Sequence, residues 1–203
     1  MKIVRTLLAA TAVVAIGATL VGCGSDKAAK QISGLQLTPP PVVGSSSLPE
    51  ASNNGAPFTF KATDGAYLVV YFGYTQCPDV CPTTLAEVKK ALKHLGTQAS
   101  KVGVAMITVD PTRDTGQLLT DYVQSFIPGA HALRTDDDSA LRAVAKAFGA
   151  GYTVTKKADG SETVSHSGNL YVVDPKGSVV LEWPFGLKAD AIATDLEILL
   201  GKA

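Results

Sequence analysis

Residues 67–74, Tyr67-Leu68-Val69-Val70-Tyr71-Phe72-Gly73-Tyr74, limit the possible folds more than any other stretch of this chain. The run has no polar break, so neither face of an extended strand built from it can be left to water. Such a run predicts a central strand covered on both sides, which in turn needs helices above and below a sheet. The residues downstream supply them. Residues 83–95 carry Leu85, Val88, Leu92 and Leu95 at helical spacing, with Gly96 as the stop. A second buried strand is predicted over 102–109, ending at Asp110-Pro111. Helices are predicted over 114–126, through Leu118, Leu119, Tyr122, Val123 and Phe126, and over 139–148, through Leu141, Val144, Ala145 and Phe148. Residues 152–155 and 162–165 flank Ala158-Asp159-Gly160 as a hairpin or extended loop. Residues 169–173 and 179–183 flank Asp174-Pro175-Lys176-Gly177 as a clearer hairpin. A last helix covers 189–200. The order β-α-β-α-α, hairpin, helix predicts an α/β fold of thioredoxin-like type: a central mixed sheet flanked by helices, with a late β-hairpin.

The N-terminus follows different rules. Lys2 and Arg5 precede an apolar run over 7–21, about the length of a signal-peptide core and short for a membrane span. It ends in Leu20-Val21-Gly22-Cys23, which resembles the bacterial lipobox. The expectation is a lipoprotein signal peptide over 1–22, lipidation at Cys23, and an exported chain held by lipid at the outer face of the cytoplasmic membrane. Residues 24–57 hold Pro39-Pro40-Pro41 and Gly44-Ser45-Ser46-Ser47 and lack an apolar period. They predict a flexible lipidated tether over 23–56, with the folded domain over 57–203. Basic and acidic residues number 18 each, and aromatic residues make up 6%. Neither value argues for nucleic acid as a partner. Loss of Lys2 and Arg5 with the signal peptide leaves 16 basic against 18 acidic residues, so membrane attachment falls to the lipid.

Cys77 and Cys81 are the thiols left for chemistry, in an oxidising compartment. They lie between a buried strand and a helix, where open α/β sheets place their ligands. Pro82 suits the first helical position, which puts Cys81 at the N-cap and Cys77 in the preceding loop. There the helix dipole favours the thiolate. Two thiols at this spacing can close a disulfide, pass electrons or chelate a soft metal. The spacer is one residue longer than the Cys-x-x-Cys of redox thioredoxins, and it lets both sulfurs stand on one side of an ion. Two thiolates suit Cu(I), and an added imidazole gives a site for Cu(I) or Cu(II). His166, in Val164-Ser165-His166-Ser167-Gly168-Asn169-Leu170 at the mouth of a strand, is the candidate third ligand. Alone, a histidine is more often a hydrogen-bonded surface residue than a ligand. His94 can cap the carbonyls ending its helix, and His131 lies in a loop after Pro128-Gly129; neither is assigned to metal.

Four segments, in order, resemble the Sco (SenC) family of copper-assembly proteins. They are Tyr71 to Pro82 around the cysteines, Val109-Asp110-Pro111-Thr112-Arg113-Asp114-Thr115, the helix from Leu118 to Phe126, and His166 to Gly177. The resemblance implies a thioredoxin-like domain with copper held by Cys77, Cys81 and His166. It further implies delivery of copper to the CuA site of cytochrome c oxidase subunit II. Asp79 and Asp110 fall where the family keeps acidic residues, and turn formation explains them equally well. The segment before the first buried strand is shorter than the family's usual hairpin, which leaves that sheet edge undefined. An alternative is a thiol–disulfide oxidoreductase using Cys77 and Cys81 as a redox pair on the same oxidase subunit or another exported protein. A purely structural disulfide is the weakest reading, because so short a loop constrains the unfolded chain little.

Overall fold

The computed structural model describes residues 30–201; the predicted signal peptide and Cys23 lie outside them. Among the described residues, nine strands and four α-helices follow in chain order. The first strands are β1 (Ser47–Glu50), β2 (Ala56–Thr59) and β3 (Tyr67–Gly73), followed by α1 (Val80–Leu95) and β4 (Val102–Thr108). Then come α2 (Gly116–Phe126), β5 (His131–Leu133), α3 (Asp138–Phe148), β6 (Tyr152–Lys156) and β7 (Glu162–His166). β8 (Leu170–Val173), β9 (Val179–Trp183) and α4 (Ala189–Leu199) complete the domain. Seven strands form one sheet in the order β2-β1-β5-β4-β3-β8-β9, and β6 and β7 form a separate ribbon. β3 runs parallel to β4 and antiparallel to β8, so the sheet is mixed as expected.

The 67–74 run behaves as its composition demands. Val69, Val70, Tyr71 and Phe72 are all buried at the centre of the sheet. Phe148 of α3 packs at the middle of an aromatic cluster, with ring centroids 5.1 Å from Phe60, 5.5 Å from Phe72 and 5.4 Å from Tyr171. Burial of each such side chain contributes about 1.5–3 kcal/mol. α1 packs along α4.

The tether expected over 23–56 is not a tether across its described part. Val43 and Leu48 are buried in the core. β1 pairs with β2 and reaches β5 through Glu50 and Leu133, so the edge hairpin expected to be abbreviated is present. Upstream, Leu35 exchanges backbone hydrogen bonds with Glu182 of β9, both 2.9 Å. The backbone N–H groups of Ser33 and Gly34 donate to the buried Asp195 carboxylate of α4 at 2.8 Å, as does the Trp183 indole. The physical reason is simple. A single extended segment lying along a sheet edge is held by backbone hydrogen bonds and a few isolated apolar residues, so it needs no apolar period.

Two smaller differences concern local signals. β5 is only three residues long, too short to show periodicity, so His131 lies in a strand rather than a loop. α2 starts after Asp114: Thr115 is its N-cap, with the side-chain oxygen accepting the Leu118 N–H at 3.2 Å.

Candidate metal centre

Sheet register brings the site together. β8 runs antiparallel to β3 with Tyr71 opposite Leu170, so β8 begins where β3 ends. The chain entering β8, from His166 onward, therefore lies beside the loop that carries Cys77. His166 closes β7, opposite Tyr152, rather than opening β8. Helix α1 starts earlier than expected. Asp79 is the N-cap residue, Cys81 sits inside the first turn, and Pro82 follows it. Proline is tolerated there because the first-turn N–H groups have no intrahelical partner to lose.

Cys77, Cys81 and His166 form a group whose ligand atoms all lie within 4.8 Å of one another, the one such cluster among the described residues. Both cysteines are free thiols. Cys81 is fully buried, while Cys77 is 9% exposed at a cleft of about 230 Å³ bounded by Tyr74, Pro78, Val80 and Val164. The Cys81 backbone N–H donates to Cys77 Sγ at 3.3 Å, so a helix-start N–H does point at a sulfur. His166 Nδ1 stands 3.0 Å from the Ser167 carbonyl and Nε2 3.5 Å from Cys81 Sγ. With its Nδ1–H donated to that carbonyl, the ring turns the Nε2 lone pair toward the sulfurs, as a metal-binding imidazole requires.

The expected acidity of Cys81 is not found. Burial pushes its thiol up to about 12, and the neighbouring Tyr71 hydroxyl and Tyr74 backbone oppose this only in part. A sulfur with no exposure loses more through desolvation than one helix terminus returns. Burial also lowers the His166 imidazole below its ordinary 6.5, against smaller raising effects from the Ser167 and Phe72 backbone. The donor set thus holds a neutral imidazole and a protonated inner thiol, a combination that suits displacement of protons by a soft metal ion.

The loop is held from below chiefly by a carboxylate that sequence reasoning did not single out. Asp114 is fully buried, and its carboxylate accepts the Thr75 N–H at 3.0 Å, the Thr75 hydroxyl at 2.5 Å and the Thr108 hydroxyl at 2.6 Å. Asp110, 1% exposed, pairs with Arg113 at 2.5 Å, and Arg113 donates to Gln76 Oε1 at 3.1 Å. Asp110 therefore reaches the cysteine loop through Arg113. Asp79 is exposed and accepts the Thr83 hydroxyl at 3.1 Å, a local turn contact. The Val109 to Thr115 segment carries Asp110, Arg113 and Asp114, but its sequence gives no sign of which acid turns inward.

The other histidines stand apart from the sulfurs. His94 pairs with Asp190 of α4 at 3.0 Å instead of capping its helix, and His131 pairs with Glu50 at 2.6 Å.

A helix-flanked mixed sheet, with two thiols and an imidazole gathered at its strand ends, defines a thioredoxin-like domain carrying a soft-metal donor set. The SCO1/SenC family profile matches residues 48–201. The chain belongs to the SCO1/SenC family. A Stutzerimonas stutzeri protein named for copper binding is 31% identical over 201 residues, 98% of each chain. The apo Sco1 structure from Thermus thermophilus superposes with a TM-score of 0.73 at 30% identity, covering 85% of this chain and 99% of its own. The copper-bound ScoI of Bradyrhizobium japonicum gives 0.66 at 32% identity, covering 78% of this chain and 99% of its own.

Proposed function

We propose that this chain is a copper carrier: Cys77, Cys81 and His166 take up Cu(I) or Cu(II) as cargo. We further propose that the recipient is the CuA site of cytochrome c oxidase subunit II, and that a lipid on Cys23 holds the chain at the outer face of the cytoplasmic membrane. The observation that carries the metal reading is the convergence of three ligand atoms within 4.8 Å. The copper-bound relative supports it. Copper entering the site displaces the thiol protons, and the Nε2 lone pair of His166 supplies the harder donor that Cu(II) prefers. Cargo leaves by exchange of ligands, one at a time, onto the recipient's own thiolates.

The test is an anaerobic copper titration of the reduced full chain beside Cys77→Ser, Cys81→Ser and His166→Ala. One-to-one binding that weakens in each variant supports the carrier. No uptake by the unaltered chain would sink it.

The second reading, a thiol–disulfide oxidoreductase, draws on the free state and unequal exposure of the two cysteines. In that reaction the Cys77 thiolate attacks a partner disulfide, forming a mixed disulfide and releasing one partner thiolate. Cys81 then attacks the Cys77 sulfur, frees the second partner thiolate and leaves a Cys77–Cys81 disulfide. The two electrons pass from the cysteine pair to the partner. A Cys81 thiol raised to about 12 makes the second attack slow at neutral pH, which favours the carrier.

A further inference from the structure

The Tyr71 hydroxyl is a buried group that the ligand set leaves unused. Tyr71 is 0% exposed on β3, and its ring stands edge-on to His166 with centroids 6.0 Å apart. A Cβ at Gly73 would lie 2.7 Å from Tyr71 Cε1 and 3.0 Å from Cys81 Sγ, so the two side chains close over the same glycine. The Tyr71 hydroxyl and the nearby Thr84 hydroxyl are both buried without a hydrogen-bond partner among the described residues. The Tyr71 ring and the Cys81 sulfur thus converge on one spot, yet the hydroxyl makes no hydrogen bond to the sulfur or to any other described atom.

An unpartnered buried O–H is costly, and such groups call for an explanation in another state of the protein. The two states of Cys81 supply one. A thiol is a weak acceptor, whereas a thiolate is a charged and strong one. The acceptor that Tyr71 lacks appears when Cys81 loses its proton to a metal.

We propose that Tyr71 is a positioning residue whose hydroxyl donates a hydrogen bond to the Cys81 sulfur once that sulfur is a metal-bound thiolate. This rests on the copper reading above. The bond withdraws electron density from the sulfur, so it weakens Cu(II) binding relative to Cu(I) and favours the reduced cargo. Hydrogen bonding around a copper-bound cysteine sulfur is a general means of setting potential.

The experiment compares the copper-loaded full chain with Tyr71→Phe, which removes one oxygen and keeps the ring. Two readings are taken: the Cu(II)/Cu(I) potential and the energy of the sulfur-to-Cu(II) charge-transfer band. The variant should still bind one copper. Its Cu(II)-to-Cu(I) affinity ratio should rise about tenfold, a fall of about 59 mV for one electron, and the band should move to lower energy. If copper binds both proteins and neither quantity moves, this inference is overturned while the carrier stands. If the unaltered chain takes up no copper, both are overturned. Should the Phe variant fail to fold, 3-fluorotyrosine placed at position 71 alone keeps the ring and strengthens the donor. It should shift both quantities the opposite way, and no shift would count against the proposal.

Discussion

The Asp114 carboxylate accepts both the backbone N–H and the hydroxyl of Thr75, and so ties the start of the cysteine loop to the turn after β4. Cys77 follows Thr75 by two residues, so its position depends on a carboxylate that is not itself in the ligand cluster. Asp114→Ala would leave the Thr75 N–H and the Thr75 and Thr108 hydroxyls without their acceptor. Hydrogen bonds to charged groups contribute about 1.5–3 kcal/mol each but do not add fully, so the expected loss of stability is about 3 kcal/mol. Urea unfolding measures it. Copper affinity should fall in the same variant, because the loop is no longer held.

His166→Ala should separate the two copper oxidation states. Loss of a group that merely orients a ligand costs about 10–100-fold in metal affinity, so loss of the imidazole itself should cost Cu(II) at least about 100-fold. Cu(I), served by two sulfurs, should lose much less. Competition titrations with a chelator for each ion provide the check. Equal losses for both ions would contradict the role given to His166.

The two shifted groups predict opposite pH effects in the metal-free protein. The Cys81 thiol is raised from 9.0 to about 12, so the stability tied to its protonated form is present below 9.0 and lost as pH rises toward 12. The His166 imidazole is depressed, so the stability tied to its neutral form is present above 6.5 and lost as pH falls through its folded value. Alkylation with iodoacetamide, read by mass spectrometry, should label Cys77 first at pH 8. Cys81 should react only as the pH approaches 12. Equal labelling at pH 8 would remove the basis for the asymmetry.

Gly73 sits in the space that Cys81 needs. An added Cβ would meet Tyr71 Cε1 at 2.7 Å, Cys81 Sγ at 3.0 Å and Met106 Cε at 3.0 Å. Overpacking of this kind costs about 1–3 kcal/mol. Gly73→Ala should lower the melting temperature and weaken copper binding together, whereas Gly103→Ala, whose nearest contact is 3.2 Å, should do less of both.

The N-terminal strap makes a direct test of the domain boundary. A chain beginning at residue 57 lacks β1 and the buried Val43 and Leu48. It should unfold at markedly lower temperature than one beginning at residue 30. Asp195→Ala removes the acceptor of Ser33, Gly34 and Trp183, and should open residues 30–46 to protease while β3 stays protected. If the chain from 57 is as stable as the longer one, the strap contributes nothing.

The sequence alone determined the elements that run long enough to show a period. The apolar run of β3, the amphipathic faces of α1 and α3, and the late hairpin around Gly177 were all legible. So was the thiol pair Cys77 and Cys81, because two soft donors at a strand end before a helix are a chemical signal that survives without coordinates; His166, a lone histidine, was singled out by the family resemblance. Only the tertiary structure decided how the strap from Ser33 to Glu50 is used. Its cohesion comes from backbone hydrogen bonds to Asp195 and β9, and backbone groups carry no sequence signature. It also decided which acid supports the site. Asp79, Asp110 and Asp114 look alike in the sequence, yet Asp79 is exposed, Asp110 reaches the loop only through Arg113, and Asp114 accepts hydrogen bonds from the loop directly. The acidity of Cys81 was settled in the same way. A helix N-terminus can be read from residue order, but the burial that outweighs it exists only once β3 and α1 have packed and His166 has come to the sulfur.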